Sequence, residues 1–283
     1  MGTIMSGVEV AKHMKTKLAE EVLVLKEQGI EPQLCIIRVG AREEDLSYER
    51  GAKKRMEMLG ISCKVLELAE DIEQGEFENA FNKVNEDSSV HGILVFQPLP
   101  SHLDIEPVKK RIHPMKDVDG MCKENVAKVF MGDKDGFAPC TAEAVMEILN
   151  HYQVDISGKR VVVVGRSLVI GKPVSMLLLQ KNATVTIAHS RTEDLADVCR
   201  QADILVAAVG RAKMITSEMI SEDAIVVDVG INVDEIGNLC GDVDYQAVED
   251  KVSMITPVPR GVGSVTTSVL AKHVIKASKE LNK

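Results

Sequence analysis

The chain has 283 residues, 45% of them apolar, enough for a large core and, on size, one or two domains of ordinary dimensions. Its formal net charge of -9 gives no overall field toward nucleic acid or anionic lipid, and with 3% aromatic residues there is little on which to stack bases. No apolar run is long enough for a membrane span, and no signal-peptide core stands near the start.

In chain order, MGTIMS fits the Met-Gly-x-x-x-Ser myristoylation pattern, but an amphipathic helix follows directly, which argues against lipidation. The apolar spacing predicts a helix over 8–28, a strand over 33–39, a helix over 44–59 and a strand over 62–68. A helix over 73–86 and a strand over 91–96 complete the first half. The stretch 113–140 is different in kind: it is rich in Asp, Gly and Pro with little periodicity, and too long for an ordinary connector. The second half reads as helix 141–151, strand RVVVVG, helix 171–181, strand ATVTIA, helix 192–201 and strand DILVAAV. A short helix near 217, strands AIVVDVG and VSMITPV, and a closing helix from about 265 to 282 follow.

Strands that are apolar throughout, separated by helices, predict parallel sheets covered on both faces. The expected architecture is two α/β lobes with a cleft between them: residues 1–139 as a substrate domain and 140–264 as a Rossmann-type cofactor domain. The last helix, 265–283, is expected to pack back on the first. Six scattered cysteines lack paired spacing, and five sit in or beside apolar runs. They predict buried free thiols and a reducing, cytoplasmic setting.

RVVVVGRSLVIGKPVSMLL is a strand, a glycine turn and a helix, with Gly165 and Gly171 six apart. This is not G-x-G-x-x-G, and a plain strand–helix turn is the competing reading; the physics of presenting backbone N–H groups to a pyrophosphate can still be the same. Where an NAD-selecting fold places an acid after its second strand, this chain has His189-Ser190-Arg191. A hydroxyl and a guanidinium suit a 2′-phosphate, and Arg166 can reach the same spot from the first turn, so NADP is the expected cofactor. Gly210 and Gly230 end later strands and allow close approach to the nicotinamide half. The seven histidines show no ligand spacing, so no metal is expected.

With GRSLVIGKP, VFQPLP, HPMKDVDG, GDVDY and ITPVPRGVGSVTTS in order, the chain resembles the methylenetetrahydrofolate dehydrogenase/cyclohydrolase family over almost its full length. The resemblance implies an N-terminal α/β folate-binding domain, a Rossmann-type parallel-sheet NADP domain and a homodimer. It implies oxidation of 5,10-methylenetetrahydrofolate to the methenyl form and hydrolysis to 10-formyltetrahydrofolate. It assigns Gly165, Arg166, Ser167, Ser190 and Ile231 to the cofactor, Asp119 to the pterin and Tyr48 to the active site. Asp119 could instead be a turn or cap residue.

Two positions depart from the family pattern. Ala52 stands where the family carries a lysine one turn after its tyrosine, and Phe96 where it carries a glutamine, with Gln97 next. In SYERGAKKR, Lys53 and Lys54 lie off the Tyr48 face, and Arg55 returns to it two turns away but cannot lose a proton. These cations read as a solvated face. Arg260 and Ser264 stand where the family shows Gly and Pro, which weakens folate contacts in that loop. Hydride transfer needs positioning, whereas hydrolysis needs proton transfer, so both catalytic departures fall on the second step. The expected activity is an NADP-dependent dehydrogenase with weak or absent cyclohydrolase activity. The alternatives are a bifunctional enzyme in which Arg55, Gln97 or water replaces the missing groups, and a non-catalytic folate or nucleotide binder.

Overall fold

The computed structural model describes residues 2–283; Met1, the first residue of the myristoylation-like pattern, lies outside them. The chain opens with β1 (Thr3–Ile4), α1 (Gly7–Glu27), β2 (Gln33–Val39), α2 (Glu43–Leu59), β3 (Ser62–Leu68), α3 (Gln74–Glu86) and β4 (Gly92–Val95). Three helices follow: α4 (Glu106–Arg111), α5 (Lys123–Met131) and α6 (Cys140–His151). Then come β5 (Arg160–Val164), α7 (Gly171–Leu179), β6 (Thr184–Ala188), α8 (Leu195–Arg200), β7 (Ile204–Ala207) and β8 (Ile225–Asp228). The chain closes with β9 (Asn232–Val233), β10 (Leu239–Cys240), α9 (Tyr245–Val248), β11 (Met254–Ile255) and α10 (Thr266–Leu281).

Internal packing divides the chain into two units: His13–Cys140 with Thr267–Lys283, and the chain up to Lys12 with Thr141–Thr266. The first unit is built on a parallel sheet in the order β3-β2-β4. All seven residues of the central strand β2 are buried, as expected for a strand covered on both faces. Cys35, Ile37 and Val39 pack with Phe77 and Phe81 of α3 and Val108 of α4. The alternate residue Arg38 turns the other way, to Glu49 of α2. The edge strand β3 alternates in exposure, unlike the uniformly buried strand its composition suggested.

The second unit holds a six-stranded, all-parallel sheet, β1-β11-β8-β7-β5-β6. Its first strand is β1: Thr3 and Ile4 pair with Met254 and Ile255, so residues 2–12 pack within this unit although they stand at the start of the chain. Two residues carry too little apolar pattern to be read as a strand. The stretch 113–140 is also not wholly irregular. It contains α5, whose start is fixed by Asp117: its carboxylate accepts the N–H groups of Met121 and Cys122 and the side-chain amide of Asn125.

None of the six cysteines forms a disulfide; four are buried and Cys63 and Cys240 are partly so. Burial pushes Cys35, Cys63 and Cys199 up to about 11 and Cys122 to about 12, which leaves them inert as nucleophiles at neutral pH. Among the described residues, no helix is long and apolar enough to cross a membrane and no group of three or more acidic, His or Cys side chains could hold a metal ion.

Candidate active site

The cofactor half is set by strand order. After β5 the chain runs to β6 on one side and β7 on the other, so the turn following β5 sits at a topological switch point, where open α/β sheets bind ligands. Gly165 in that turn has φ 132°, and a Cβ there would run into the Ala208 carbonyl oxygen, so only glycine fits. The Ser167 hydroxyl accepts the Ile170 N–H at 3.1 Å and closes the turn before α7. A pocket of about 430 Å³ opens here, within the range of small-molecule sites. Gly165, Arg166, Ser167, His189, Ser190, Thr192, Val209 and Arg211 are among its lining.

This brings Gly165, Arg166, Ser167 and Ser190 together as the sequence predicts, with two differences. Arg191 is exposed and absent from the lining; its N–H donates to His189 Nδ1 in the turn after β6. Arg211 lines the pocket and was not foreseen, although GRA follows directly on a strand of the sheet edge already assigned to the cofactor. Ile231 lies in a second pocket, formed by Asp228–Ile231, Leu239 and Pro257–Ser264, and is 64% exposed. The turn and switch point, with two arginines and three hydroxyls but no carboxylate in the first pocket, fit a phosphorylated dinucleotide.

The other unit carries Asp119 and Tyr48, which the family resemblance assigns to the folate side. Lys116–Asp117 runs beside β4, Ile93 N–H donating to Lys116 O at 2.7 Å, and this places Asp119 just beyond the strand. Lys116 Nζ is spent on the Asn85 and Asp87 carbonyls at 2.7 and 2.8 Å. Asp119 is half-buried and its Oδ1 accepts the Cys140 N–H at 2.9 Å, where α6 begins. Burial raises its carboxyl above the ordinary range, against the lowering effect of the Cys140 bonds. Asp119 therefore caps a helix, the competing role its sequence context allowed, and this leaves a pterin contact compatible with it.

Tyr48 is 36% exposed and edge-on to Phe96, which is almost wholly buried. Ala52, one turn along α2, is fully buried. Gln97 is exposed, unlike Phe96. In SYERGAKKR, Arg50, Lys53 and Lys54 are exposed as expected, but Arg55 is half-buried, and burial lowers its guanidinium. Glu49 of the same segment is 7% exposed and accepts Arg38 Nε–H at 2.8 Å, a buried ion pair that sequence reasoning missed.

A dinucleotide pocket on a parallel sheet, accompanied by a second α/β unit, defines the class of two-domain nicotinamide-dependent enzymes. Comparison with known proteins narrows this. The profile described as Tetrahydrofolate dehydrogenase/cyclohydrolase, catalytic domain, matches residues 5–119, and its NAD(P)-binding domain counterpart matches 139–282. The chain belongs to the tetrahydrofolate dehydrogenase/cyclohydrolase family. It is 59% identical to the bifunctional protein FolD of Clostridioides difficile, over 99% of this chain and 98% of that one. The bifunctional FolD of Campylobacter jejuni has the same fold, with a TM-score of 0.96 and 40% identity over 99% of each chain. The Trypanosoma brucei FolD, solved with NADP cofactor and an inhibitor, matches at TM-score 0.93 and 36% identity over 99% of this chain and 98% of that one.

Proposed function

We propose that this chain is an NADP-dependent 5,10-methylenetetrahydrofolate dehydrogenase of cytoplasmic one-carbon metabolism, acting as a homodimer. The observation that carries the reading is the pocket at the switch point, where Ser190 follows β6 in the place of the acid that would select NAD and Arg166 of the turn after β5 lines the same pocket. Gly165, Arg166, Ser167 and Ser190 hold the dinucleotide, and Ile231 contributes backbone from the loop after β8. When bound, NADP supplies the hydride acceptor. Asp119 accepts N–H donors from the pterin edge and so orients the one-carbon unit. The reacting carbon is bonded to two nitrogens whose lone pairs stabilise the developing cation. In this step the protein therefore has to orient the substrate and exclude water, and no acid or base is required of it.

Hydrolysis of the methenyl product is a separate question, with an observation on each side. The relatives at 50% identity and above carry the name bifunctional FolD, which favours an enzyme that also performs the second step. The side chains beside Tyr48 favour a weaker one: Ala52 and Phe96 offer no group that could take a proton from water. The bifunctional reading is the better supported of the two, and in this chain the second step then falls to groups other than residues 52 and 96. Following NADPH and the methenyl product together, from methylenetetrahydrofolate and NADP, tests both steps. A dehydrogenase forms NADPH and accumulates methenyl product; a bifunctional enzyme clears it faster than buffer does. A non-catalytic binder forms no NADPH.

A further inference from the structure

Two buried carboxylates, Asp242 of the GDVDY segment and Asp228 of the preceding VVDVG segment, are left unexplained by contact with the cofactor and the folate. Asp228, at the end of β8, is 2% exposed and Asp242 is fully buried. Asp242 Oδ2 accepts the N–H groups of Val209 and Gly210 at 2.6 and 3.1 Å. Its Oδ1 accepts the Arg211 N–H at 2.8 Å and the Asn232 side-chain amide at 2.9 Å. Asp228 in turn accepts the N–H groups of Asp242 and Val243, each at 3.0 Å, and of Gly230 at 3.2 Å. The chain leaves room for this pair with glycine: a Cβ on Gly230 would collide with the Asp242 carboxylate, and one on Gly241 with that of Asp228.

Every one of these donors is a backbone N–H or a neutral amide, so the two carboxylates are buried without a cation between them. Burial, with Asp242 nearby, pushes Asp228 up to about 7. Such an arrangement is costly, and burying acids this way is a poor means of stabilising a fold. What it does achieve is local. Three successive N–H groups converge on one carboxylate, which fixes the backbone of Val209–Arg211, and Asn232 ties the loop after β8 to the same anchor. Val209 and Arg211 line the cofactor pocket with Arg166.

We propose that Asp242 is a positioning residue for the cofactor, clamping the turn after β7 so that Arg211 enters the pocket as a second cation for the phosphate groups of the dinucleotide. The inference rests on the NADP reading above. It accounts for the GDVDY motif, since Asp228 seats Asp242, Asp242 seats the 209–211 turn, and the turn aims Arg211. Asp242 touches no substrate in this scheme and acts through the loop alone.

The test uses the full chain and two readouts: amide exchange at residues 209–211 in the ligand-free protein, and calorimetric binding of NADP and of NAD. Asp242→Asn replaces one acceptor oxygen by a donor aimed at N–H groups. It should speed exchange at 209–211 at least tenfold and weaken NADP at least tenfold. Arg211→Ala should weaken NADP about tenfold, as loss of one charge-assisted contact does, and leave exchange unchanged. If Arg211 serves the 2′-phosphate, NAD binding is spared; if it serves the pyrophosphate, NAD weakens equally. Because one residue acts through the other, the double variant should bind within about threefold of the weaker single variant. Wild-type exchange or wild-type affinity in Asp242→Asn would overturn the proposal, as would full additivity. If that variant does not fold, Asn232→Ala decides: faster exchange at Arg211 with weaker NADP supports the clamp, and no change in either refutes it. Failure of the unmodified protein to bind NADP would sink the cofactor reading itself, while the exchange data would still judge the clamp.

Discussion

The Tyr48 ring stands edge-on to Phe96, with centroids 5.7 Å apart and planes at 85°. Phe96 thus fills the ground beside the tyrosine where the family resemblance places a glutamine, while fully buried Ala52 lies one turn away on the same helix. Ala52→Lys alone should gain little hydrolysis and should lose stability. A long side chain forced into a packed site costs roughly 1–3 kcal/mol. The buried carboxylate one turn back, Glu49, is already held by Arg38. Adding Phe96→Gln should relieve part of that loss and raise methenyl hydrolysis by more than the two single changes combined, since a positioned proton-transfer group contributes about 10²–10⁴ in rate. Dehydrogenase rates should stay within about a factor of ten in all three variants. Comparison of methenyl clearance and NADPH formation across the set checks this; if Arg55→Ala abolishes hydrolysis in the otherwise unmodified protein, the group that performs the second step is Arg55.

Asp119 has two roles that two substitutions separate. Asp119→Asn keeps an oxygen to accept the Cys140 N–H, so its melting temperature should stay close to that of the unmodified protein, yet it loses the charge that grips the pterin. Asp119→Ala should lose turnover and also about 0.5–2 kcal/mol of stability, the usual cost of a missing helix cap. Both should bind NADP normally. Normal kinetics in the folded fraction of either variant would reduce Asp119 to its capping role.

The same carboxyl predicts a pH dependence. Burial raises it above its ordinary value of about 3.9, and the ionised form is the one that accepts two pterin N–H donors. The KM for folate should therefore climb as pH falls, with the midpoint of that limb above about 3.9, and Asp119→Asn should lack the limb. A KM profile flat down to the ordinary carboxylate range would contradict the assignment.

Much of this could be read in the sequence, and the misses have physical causes. Strands 33–39 and 62–68 match the observed β2 and β3 because apolar runs between turn residues leave few alternatives. The cofactor turn was legible because Gly165 stands between a buried strand and a helix. β1 was missed because two residues show no period; it exists through pairing with β11, a partner about 250 residues away. Arg38 lies in a strand that reads as apolar, and Glu49 lies among cations that read as a solvated face. Each is buried only because the fold brings it to the other, which no local pattern reports. The clamp at Asp242 is of the same kind: its donors come from residues 209–211 and 232, assembled by strand order.

Arg260 stands where the resemblance places a glycine, and its φ of 78° is in the left-handed region. Holding a side chain there costs roughly 1–2 kcal/mol, against about 0.5–1 kcal/mol for the added freedom of glycine in the unfolded chain. Arg260→Gly should therefore stabilise the protein by roughly 0.5–1 kcal/mol in denaturant unfolding, with both KM values unchanged. A raised folate KM would show instead that the guanidinium is used in binding.

Arg166 bears most directly on cofactor choice. One charge-assisted phosphate contact is worth roughly 1.5–3 kcal/mol, or about ten- to a hundredfold, so Arg166→Ala should raise the KM for NADP by that factor and hardly alter that for NAD.

The central claim is that the pocket after β5 serves an NADP-dependent oxidation of methylenetetrahydrofolate. Initial rates of reduced-nucleotide formation by the unmodified protein, measured side by side with NADP and NAD at the same methylenetetrahydrofolate concentration, test it most directly. The arrangement of Gly165, Arg166, Ser167 and Ser190 predicts turnover with a clear advantage in kcat/KM for NADP. Equal use of the two nucleotides would contradict the role given to Arg166 and Ser190, and no reduced nucleotide from either would contradict the account as a whole.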